Sequence, residues 1–328
     1  MKRLSLALAL LSACSSSAAQ NDAAVTADVA LTQDAAATDA PAAVDAPAAV
    51  DAPAAPSDTG YAPSPRIVER PYMHRVPSTY DPATPLPLVV LLHGYGASGS
   101  VQAAYLTLLA AVPTENFALA YPDGTLDSSG RRFWNATDAC CDFERRGLDD
   151  VGYIDAVIDD MRAQYNIDPR RIFLIGHSNG GFMAHRYACE RADRIAGFVS
   201  LAGAAWSDPM RCAPSRPVAM LQVHGTADTT IRYPGGGAVI SGAGAYPSAR
   251  ASTEQWATHD GCGALTATDE TLDLESTLPG AETRVDRAAG CTAGGAELWT
   301  LQGGSHIPTF GPEWSRALGR WMAAHPAP

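Results

Sequence analysis

Positive charge is scarce in this sequence, and lysine is nearly absent. Among 328 residues, 23 are Lys or Arg against 35 Asp or Glu, the formal net charge is −12, and Lys2 is the only lysine. No basic run follows Lys2-Arg3. A nucleic-acid-binding surface needs clustered positive charge to displace the counterions of phosphates. The composition therefore argues against a nucleic-acid partner.

Long apolar runs are missing beyond the N-terminus. After residue 14 no apolar stretch reaches the roughly 18 residues that a membrane-spanning helix needs. The first 14 residues, MKRLSLALALLSAC, join two cations to a short apolar stretch and a Leu-Ser-Ala-Cys ending that resembles a bacterial lipobox. We therefore expect residues 1–13 to be a signal peptide and Cys14 to carry a lipid. The alternative is an ordinary secretory signal cut near Ala19.

Residues 15–60 lack what a folded core requires. Between 15 and 58 there are seven Asp and no Lys or Arg, and a six-residue unit rich in Ala and Pro repeats three times in 39–56. Such a segment cannot bury enough apolar area to offset its ordering entropy. We expect a disordered tether ahead of one catalytic domain at 61–328. The expected location is extracellular or anchored at the outer membrane, with the lipid on Cys14 as the one membrane contact.

Metal-binding patterns are also missing. The sequence has no CxxC and no HxxxH, so we expect neither zinc nor any cofactor. An even number of cysteines after Cys14 in an exported chain favours disulfides; they are Cys140, Cys141, Cys189, Cys212, Cys262 and Cys291. Matching Gly-Cys turns favour pairing of Cys262 with Cys291. Adjacent Cys140 and Cys141 are each expected to reach a distant partner among Cys189 and Cys212.

What the chain does contain is an alternation of apolar runs and helical patterns. Strands buried on both faces are predicted at 86–92, 117–121, 171–175, 197–201 and 218–223, with a further strand at 297–301. Helices are predicted at 101–112, 152–165, 181–192 and 312–324. This alternation predicts an α/β fold with a mostly parallel sheet and helices on both faces. Functional residues should then follow the carboxyl ends of the strands.

The strand at 171–175 runs into Gly176-His177-Ser178-Asn179-Gly180, and a helix follows at once. A nucleophilic serine projects from a turn so sharp that side chains two residues to either side would collide, which explains both glycines. The N–H of Asn179 begins the helix and can face developing negative charge. Ser178 is therefore the predicted nucleophile.

A serine nucleophile needs a base, and the base needs an acid that orients it. Asp228 lies just past the strand that ends near 223, and His306 lies in a Gly-rich loop after the strand at 297–301. Their order after Ser178 is the one expected in this fold class. Asp123 and Asp208 are the rival acids. For His93 and His224, which also follow strands, a structural hydrogen bond is the commoner role.

Gly94-x-Gly96-x-x-Gly99 follows the first strand and matches a dinucleotide-binding pattern. Tight strand-to-helix turns of any purpose use glycine, so the alternative is a loop whose backbone N–H near Tyr95 helps Asn179 to hold an oxyanion. Trp134 and His177 are candidate substrate contacts, with core packing as the other interpretation of Trp134.

The chain resembles the alpha/beta-hydrolase esterases grouped as polyhydroxybutyrate depolymerases and feruloyl esterases, of the carbohydrate esterase family 1 type. The resemblance spans about 70–325 and rests on seven motifs: 93–96, Tyr121-Pro-Asp-Gly124, Trp134-Asn135, Asp149-Asp150-Val151-Gly152-Tyr153, 176–181, His224-Gly-Thr-Ala-Asp228 and Gly304-Ser-His306. It implies a cofactor-free, monomeric hydrolase of polyesters or of feruloyl or acetyl polysaccharide esters. The alternatives are a serine peptidase of the same fold and a catalytically silent surface-binding protein.

Overall fold

The computed structural model describes residues 61–237 and 244–328. The predicted signal peptide, the predicted lipid on Cys14 and the predicted tether at 15–60 lie outside the described residues. Within those two ranges, no helix combines the length and the apolar character needed to cross a bilayer.

The described chain alternates strands with helices. Its strands are β1 (Met73–Arg75), β2 (Leu86–Leu92), β3 (Ala118–Tyr121), β4 (Thr125–Leu126), β5 (Arg132–Phe133), β6 (Ile167–His177), β7 (Gly197–Leu201), β8 (Ala219–Gly225), β9 (Leu265–Leu272), β10 (Thr283–Ala288) and β11 (Ala296–Leu301). Its α-helices are α1 (Pro65–Glu69), α2 (Gly99–Tyr105), α3 (Leu108–Glu115), α4 (Asp150–Gln164), α5 (Asn179–Glu190), α6 (Ala249–His259) and α7 (Glu313–Ala324).

Nine of these strands form one sheet in the order β1-β3-β2-β6-β7-β8-β11-β10-β9. The six central strands, from β3 to β11, run parallel, and β1, β10 and β9 are antiparallel to their neighbours. The predicted α/β class with a mostly parallel sheet is confirmed. All six predicted strands are present, and two of them have the predicted bounds.

Side chains of β2 show how the sheet is covered on both faces. Leu88, Val90 and Leu92 pack into a core shared with α4, α5 and α6, whereas Val89 and Leu91 pack into a core shared with α2, α3 and α7. Successive side chains of a strand point to opposite faces, so a strand between two helical layers is apolar at almost every position. This explains the unbroken apolar runs in the sequence.

Several parts of the fold differ from the prediction, which did not include α1, β1, β4 and β5. The single helix predicted at 101–112 is broken into α2 and α3 by Thr107, whose φ of 56° is left-handed and cannot continue a helix. The segment between Cys262 and Cys291 contains β9 and β10, which the sequence analysis did not predict. Most side chains of β9 are exposed, so its sequence lacks the apolar pattern by which a buried strand is recognised.

The pairing of the cysteines differs from the prediction in one respect. The structure joins Cys262 to Cys291, Cys189 to Cys212, and Cys140 to Cys141. The expectation that Cys140 and Cys141 each reach a distant partner is therefore wrong. Cys189 on α5 and Cys212 have Cα atoms 5.1 Å apart, within the range that a disulfide spans, so they pair with each other. Cys140 and Cys141 therefore form a disulfide with each other.

Arg70 connects the start of the described domain to helix α4. Its Nη1 lies 2.7 Å from Oδ1 of Asp150, a fully buried carboxylate, and its guanidinium stacks 3.8 Å from the ring centroid of Tyr153. Removing one partner of a buried ion pair leaves an uncompensated charge. We expect Arg70→Met to lower the free energy of unfolding by about 3 kcal/mol or more, measured by chemical denaturation.

Arg66 provides the matched control for Arg70. Its ion pair with Asp149 is 2.6 Å long, but both side chains are more than half exposed. Water screens such pairs, so Arg66→Met should cost at most about 1 kcal/mol. Equal losses in the two variants would contradict the assignment of Arg70 as the partner of a buried charge.

Asp260, just after α6, gives the fold a pH dependence. It is buried, and its carboxylate accepts the N–H groups of Val218 (3.0 Å) and Gly295 (2.8 Å). Burial raises the pKa of Asp260 to about 6, an effect that the two backbone hydrogen bonds only partly offset. The folded state therefore holds this proton more tightly than the unfolded chain does.

We expect the stability that the protonated Asp260 contributes to be fully present below about pH 4 and to be lost as the pH rises through about 6. Urea titrations of the wild type and Asp260→Asn at several pH values measure this difference. The Asn variant should be less stable but should lack the decline between pH 4 and 6. Asp269→Asn, at an exposed position of β9, should keep it. An unchanged decline in Asp260→Asn would contradict the prediction.

Candidate active site

The carboxyl ends of the parallel strands meet at one edge of the sheet. Register pairs near that edge are Leu92 with Gly176, His177 with Leu201, Leu201 with Val223, and Gly225 with Leu301. The loops that follow these residues carry Tyr95, Ser178, Asp228 and His306. The topology thus gathers at this edge predicted site residues that are far apart in sequence.

Ser178 lies on the turn between β6 and α5 with left-handed dihedral angles, φ 54° and ψ −119°. A Cβ at Gly176 would collide with the carbonyl of Gly180, and a Cβ at Gly180 would collide with the carbonyl of Leu92. Neither position can therefore carry a side chain. The turn holds the half-buried Ser178 at the start of the helix, with its N–H donated to the Leu201 carbonyl at 2.8 Å.

Asp228 and His306 contact each other directly. Nδ1 of His306 lies 2.7 Å from Oδ2 of Asp228. The other carboxylate oxygen, Oδ1, accepts the backbone N–H groups of Thr230 (2.8 Å) and Ile231 (2.9 Å). With Oδ1 held by the backbone, Oδ2 is directed at the imidazole, which therefore carries its proton on Nδ1 and leaves Nε2 as an acceptor.

The surroundings of Asp228 favour its charged form. Burial opposes ionisation, but hydrogen bonds from His224 and His306, the charge of His306 and the Ile231 N–H outweigh burial and hold the pKa of Asp228 below its ordinary value. The carboxylate therefore stays ionised through the mildly acidic range. An ionised acid is the form that orients an imidazole and stabilises a cation on it.

Ser178 and His306 are not hydrogen-bonded to each other. Within the described ranges, Oγ of Ser178 makes no hydrogen bond to the His306 ring. The two residues are connected through His177, whose Nε2 lies 3.0 Å from the His306 carbonyl oxygen and whose ring centroid lies 5.1 Å from that of His306. Contacts between a nucleophile and its base are often long in unliganded enzymes and shorten when substrate binds.

His177 was a candidate substrate contact, and its location gives it another task. It is only 5% exposed, and its ring packs against Tyr105, whose hydroxyl donates to the Pro308 carbonyl at 2.9 Å. Burial, together with the positive charge of His306, lowers the pKa of His177 to about 3. The neutral ring therefore holds the backbone of the His306 loop and offers substrate almost no surface.

Trp134, the other candidate substrate contact, lies entirely inside the protein. Its Nε1 donates to the His93 carbonyl at 3.1 Å, and its ring stacks on Tyr153. The substrate-contact interpretation of Trp134 is corrected accordingly, because a fully buried ring has no face to present. Its backbone pairs with the side chain of Asn179 at 2.7 and 3.0 Å, which fixes the start of α5.

The loop that contains Tyr95 lies against Ser178. A Cβ at Gly94 would lie 3.4 Å from the Ser178 Cβ. The Gly94 N–H donates to Gln102 (3.1 Å), and the Gly96 N–H donates to the Arg132 carbonyl (2.8 Å). Between them, the Tyr95 N–H has no acceptor among the residues that the structure describes. Gln102 was missed from the sequence, since a lone glutamine on a helix gives no signal.

The glycine pattern at 94–99 does not form a phosphate site. The Gly99 N–H, at the start of α2, donates to the Asp123 carboxylate at 2.8 Å. A carboxylate in that position repels a phosphate, so the dinucleotide interpretation is set aside. Across the described residues, no group of three or more His, Cys, Asp or Glu side chains is arranged to hold a metal ion.

Known proteins similar to this chain are esterases. The Phospholipase/Carboxylesterase family profile matches residues 73–239, which include Ser178 and Asp228. Feruloyl esterase B of Piromyces equi is 27% identical over 238 residues, 71% of this chain and 41% of that protein. Poly(3-hydroxyalkanoate) depolymerase C of Paucimonas lemoignei is 30% identical over 149 residues, 44% of this chain and 33% of that protein.

Among solved structures, acetyl xylan esterase from Aspergillus awamori superposes with a TM-score of 0.53 at 15% identity, covering 76% of this chain and 92% of that one. This likeness supports the fold. The chain spans less than half the length of several of the curated relatives that it matches.

Proposed function

The chain belongs to the Phospholipase/Carboxylesterase family, and on that basis we propose that it is a serine carboxylic ester hydrolase using Ser178, His306 and Asp228. The observation that carries the proposal is the 2.7 Å hydrogen bond between His306 and Asp228. It lies where the carboxyl ends of the parallel strands meet, at the same edge of the sheet as the sharp turn of Ser178. Acyl transfer needs this combination of nucleophile, base and orienting acid.

In the proposed reaction, Oγ of Ser178 attacks the ester carbonyl carbon while Nε2 of His306 takes the hydroxyl proton. The C–O bond to the alcohol then breaks, and His306 returns the proton to the leaving oxygen. Water attacks the acyl-serine in the same manner and releases the carboxylic acid. Asp228 keeps the Nδ1 proton of His306 in place and stabilises the imidazolium formed in each half of the reaction.

The oxyanion is proposed to lie between the backbone N–H groups of Asn179 and Tyr95. Asn179 is the first residue of α5, where N–H groups lack acceptors inside the helix and the helix dipole favours negative charge. The Tyr95 side chain is directed elsewhere, because its hydroxyl bonds to the Asp127 carboxylate. The backbone N–H is therefore the group that Tyr95 contributes in this proposal.

The proposed substrates are polyesters of the polyhydroxybutyrate type or feruloyl and acetyl esters of polysaccharides. Relatives named for feruloyl esterase, acetylxylan esterase and polyhydroxyalkanoate depolymerase activity support this range. A hydrolysis panel of nitrophenyl esters, methyl ferulate, acetylated xylan and polyhydroxybutyrate film separates the classes. Preference for ferulate would assign a plant-wall esterase, and clearing of the film would assign a depolymerase.

A fluorophosphonate probe followed by peptide mapping tests the proposed nucleophile. Labelling of Ser178, together with turnover of a short p-nitrophenyl ester, is the expected result. Cleavage of casein without ester turnover would favour a peptidase of this fold. No labelling and no turnover would favour a silent binding protein.

Export is part of the proposal. The three disulfides in the described residues support it, because disulfides persist in oxidising compartments outside the cytoplasm. Lipidation at Cys14 stays a prediction of the sequence alone. Mass spectrometry of the mature N-terminus would distinguish a lipidated Cys14 from a chain cut near Ala19.

A further inference from the structure

A second histidine touches the acid of the proposed site. His224, at the end of β8, is 1% exposed. Its Nε2 lies 2.7 Å from the Ile231 carbonyl oxygen and 3.3 Å from Oδ2 of Asp228. The Ile231 N–H in turn binds Oδ1 of Asp228, so His224 contacts both ends of the turn that presents the carboxylate.

Behind His224, a row of polar side chains crosses the protein interior. Nδ1 of His224 lies 3.3 Å from Nε2 of Gln222, and Oε1 of Gln222 lies 3.4 Å from Nε2 of His185 on α5. Nδ1 of His185 lies 2.9 Å from the indole Nε1 of Trp256 on α6. All four side chains are buried. We call this row the buried chain: Trp256, His185, Gln222 and His224.

The donor and acceptor chemistry of these four side chains fixes the direction of the hydrogen bonds along the buried chain. An indole N–H can only donate, so Nδ1 of His185 accepts and its Nε2 carries the proton. That proton faces the Gln222 carbonyl, which directs the Gln222 amide NH2 towards the Gly203 carbonyl, 2.9 Å away, and Nδ1 of His224. His224 is therefore an acceptor at Nδ1 and a donor at Nε2. Each hydrogen bond between two members of the buried chain is thus donated by the member farther from Asp228.

We propose that His224 and Gln222 are positioning residues for the reaction, with the buried chain fixing the His224 tautomer so that its N–H is shared between Asp228 and the Ile231 carbonyl. The inference rests on the esterase function proposed above. Oδ1 of Asp228 receives two backbone N–H groups, and Oδ2 receives the Nδ1–H of His306 with Nε2 of His224 in close contact at 3.3 Å, which restricts the carboxylate to the orientation that faces His306.

Two substitutions of His224 distinguish the effect of its donor nitrogen, Nε2, from the effect of its acceptor nitrogen, Nδ1. The amide of asparagine reaches roughly the place of Nδ1, and the amide of glutamine reaches roughly the place of Nε2. His224→Gln therefore keeps a donor for Asp228, whereas His224→Asn keeps only the contact with Gln222. We expect His224→Asn to lower kcat for a p-nitrophenyl ester by about 10- to 100-fold with KM within about twofold, the size typical of orienting partners. His224→Gln should retain most of the wild-type kcat.

His74→Asn is the matched control. His74, on the outermost strand β1, five strands away from β8, makes a hydrogen bond of 2.9 Å to the Tyr165 hydroxyl. Its replacement removes a half-buried histidine contact of the same kind far from Asp228, and kcat should stay near that of the wild type. Gln222→Met keeps the side-chain volume and removes the amide, and it should lower kcat as His224→Asn does. It provides the test if His224→Asn does not fold.

The proton between His306 and Asp228 provides a readout that does not depend on turnover. Its downfield NMR resonance should move in His224→Asn and stay near the wild-type position in His224→Gln and His74→Asn. Equal kcat in the Asn and Gln variants, or a resonance that does not move in His224→Asn, would overturn the proposal. A wild type that hydrolyses no ester would overturn the proposed function instead, and the resonance would still decide the role of His224.

Discussion

Replacing Ser178 with alanine is expected to lower kcat for ester hydrolysis by about 10⁵- to 10⁶-fold, the loss typical of removing a serine nucleophile. The variant has no oxygen to form the acyl-enzyme, so only the oxyanion donors and substrate binding remain to act on water. The backbone should be unaffected, because the N–H of residue 178 still donates to the Leu201 carbonyl. Initial rates with p-nitrophenyl acetate and fluorophosphonate labelling measure the effect.

Two controls make the Ser178 result specific. Ser129→Ala, at an exposed loop position, should retain wild-type turnover. The double variant Ser178→Ala/His306→Ala should be no slower than Ser178→Ala alone, because the base has no function without the hydroxyl that it deprotonates. Turnover within tenfold of the wild type in a Ser178→Ala protein whose thermal unfolding is unchanged would exclude the proposed nucleophile.

Replacing Asp228 with asparagine should lower kcat by about 10⁴-fold, and the hydrogen bonds of the carboxylate explain why. Two backbone N–H groups hold Oδ1, so the amide oxygen must occupy that place and the NH2 must take the place of Oδ2. An NH2 there donates to Nδ1 of His306 and forces the imidazole proton onto Nε2. The nitrogen that should accept the Ser178 proton is then already occupied.

Asp228→Asn should also be less stable, since its NH2 would face the N–H of His224 as well. Kinetics at saturating ester, compared with thermal unfolding at the same pH, separates the two effects. Asp123→Asn is the control, because Asp123 binds the Gly99 N–H and Arg132 and was one of the two rival acids in the sequence. A larger loss of kcat in Asp123→Asn than in Asp228→Asn would reverse the assignment of the acid.

The sequence predicted the central sheet well and the segment between β8 and β11, which contains β9 and β10, poorly. Strands such as β2 are buried on both faces, so apolar character alone reveals them. In β9 most side chains are exposed, and its pairing with β10 depends on backbone hydrogen bonds that any residue can make. The break at Thr107 comes from a single residue in the left-handed conformation, and no local sequence pattern predicted it.

The candidate site shows the same division. Ser178, Asp228 and His306 could be predicted because a strand end, a turn and their order each constrain where they lie. The supporting residues could not be. Gln102 contacts Gly94 from a helix, and His177 holds the loop of His306 across 129 residues of sequence. Trp134 was a candidate substrate contact because aromatic side chains both pack in cores and bind ligands. Its complete burial in the structure decides for core packing.

The position of β11 in the sheet has a consequence for the order of synthesis. β11 lies between β8 and β10, and the histidine that follows it comes 78 residues after Asp228. During synthesis, Ser178 and Asp228 therefore emerge from the ribosome well before His306 does. The three residues of the proposed triad can therefore come together only after β11, the last parallel strand, has joined the sheet.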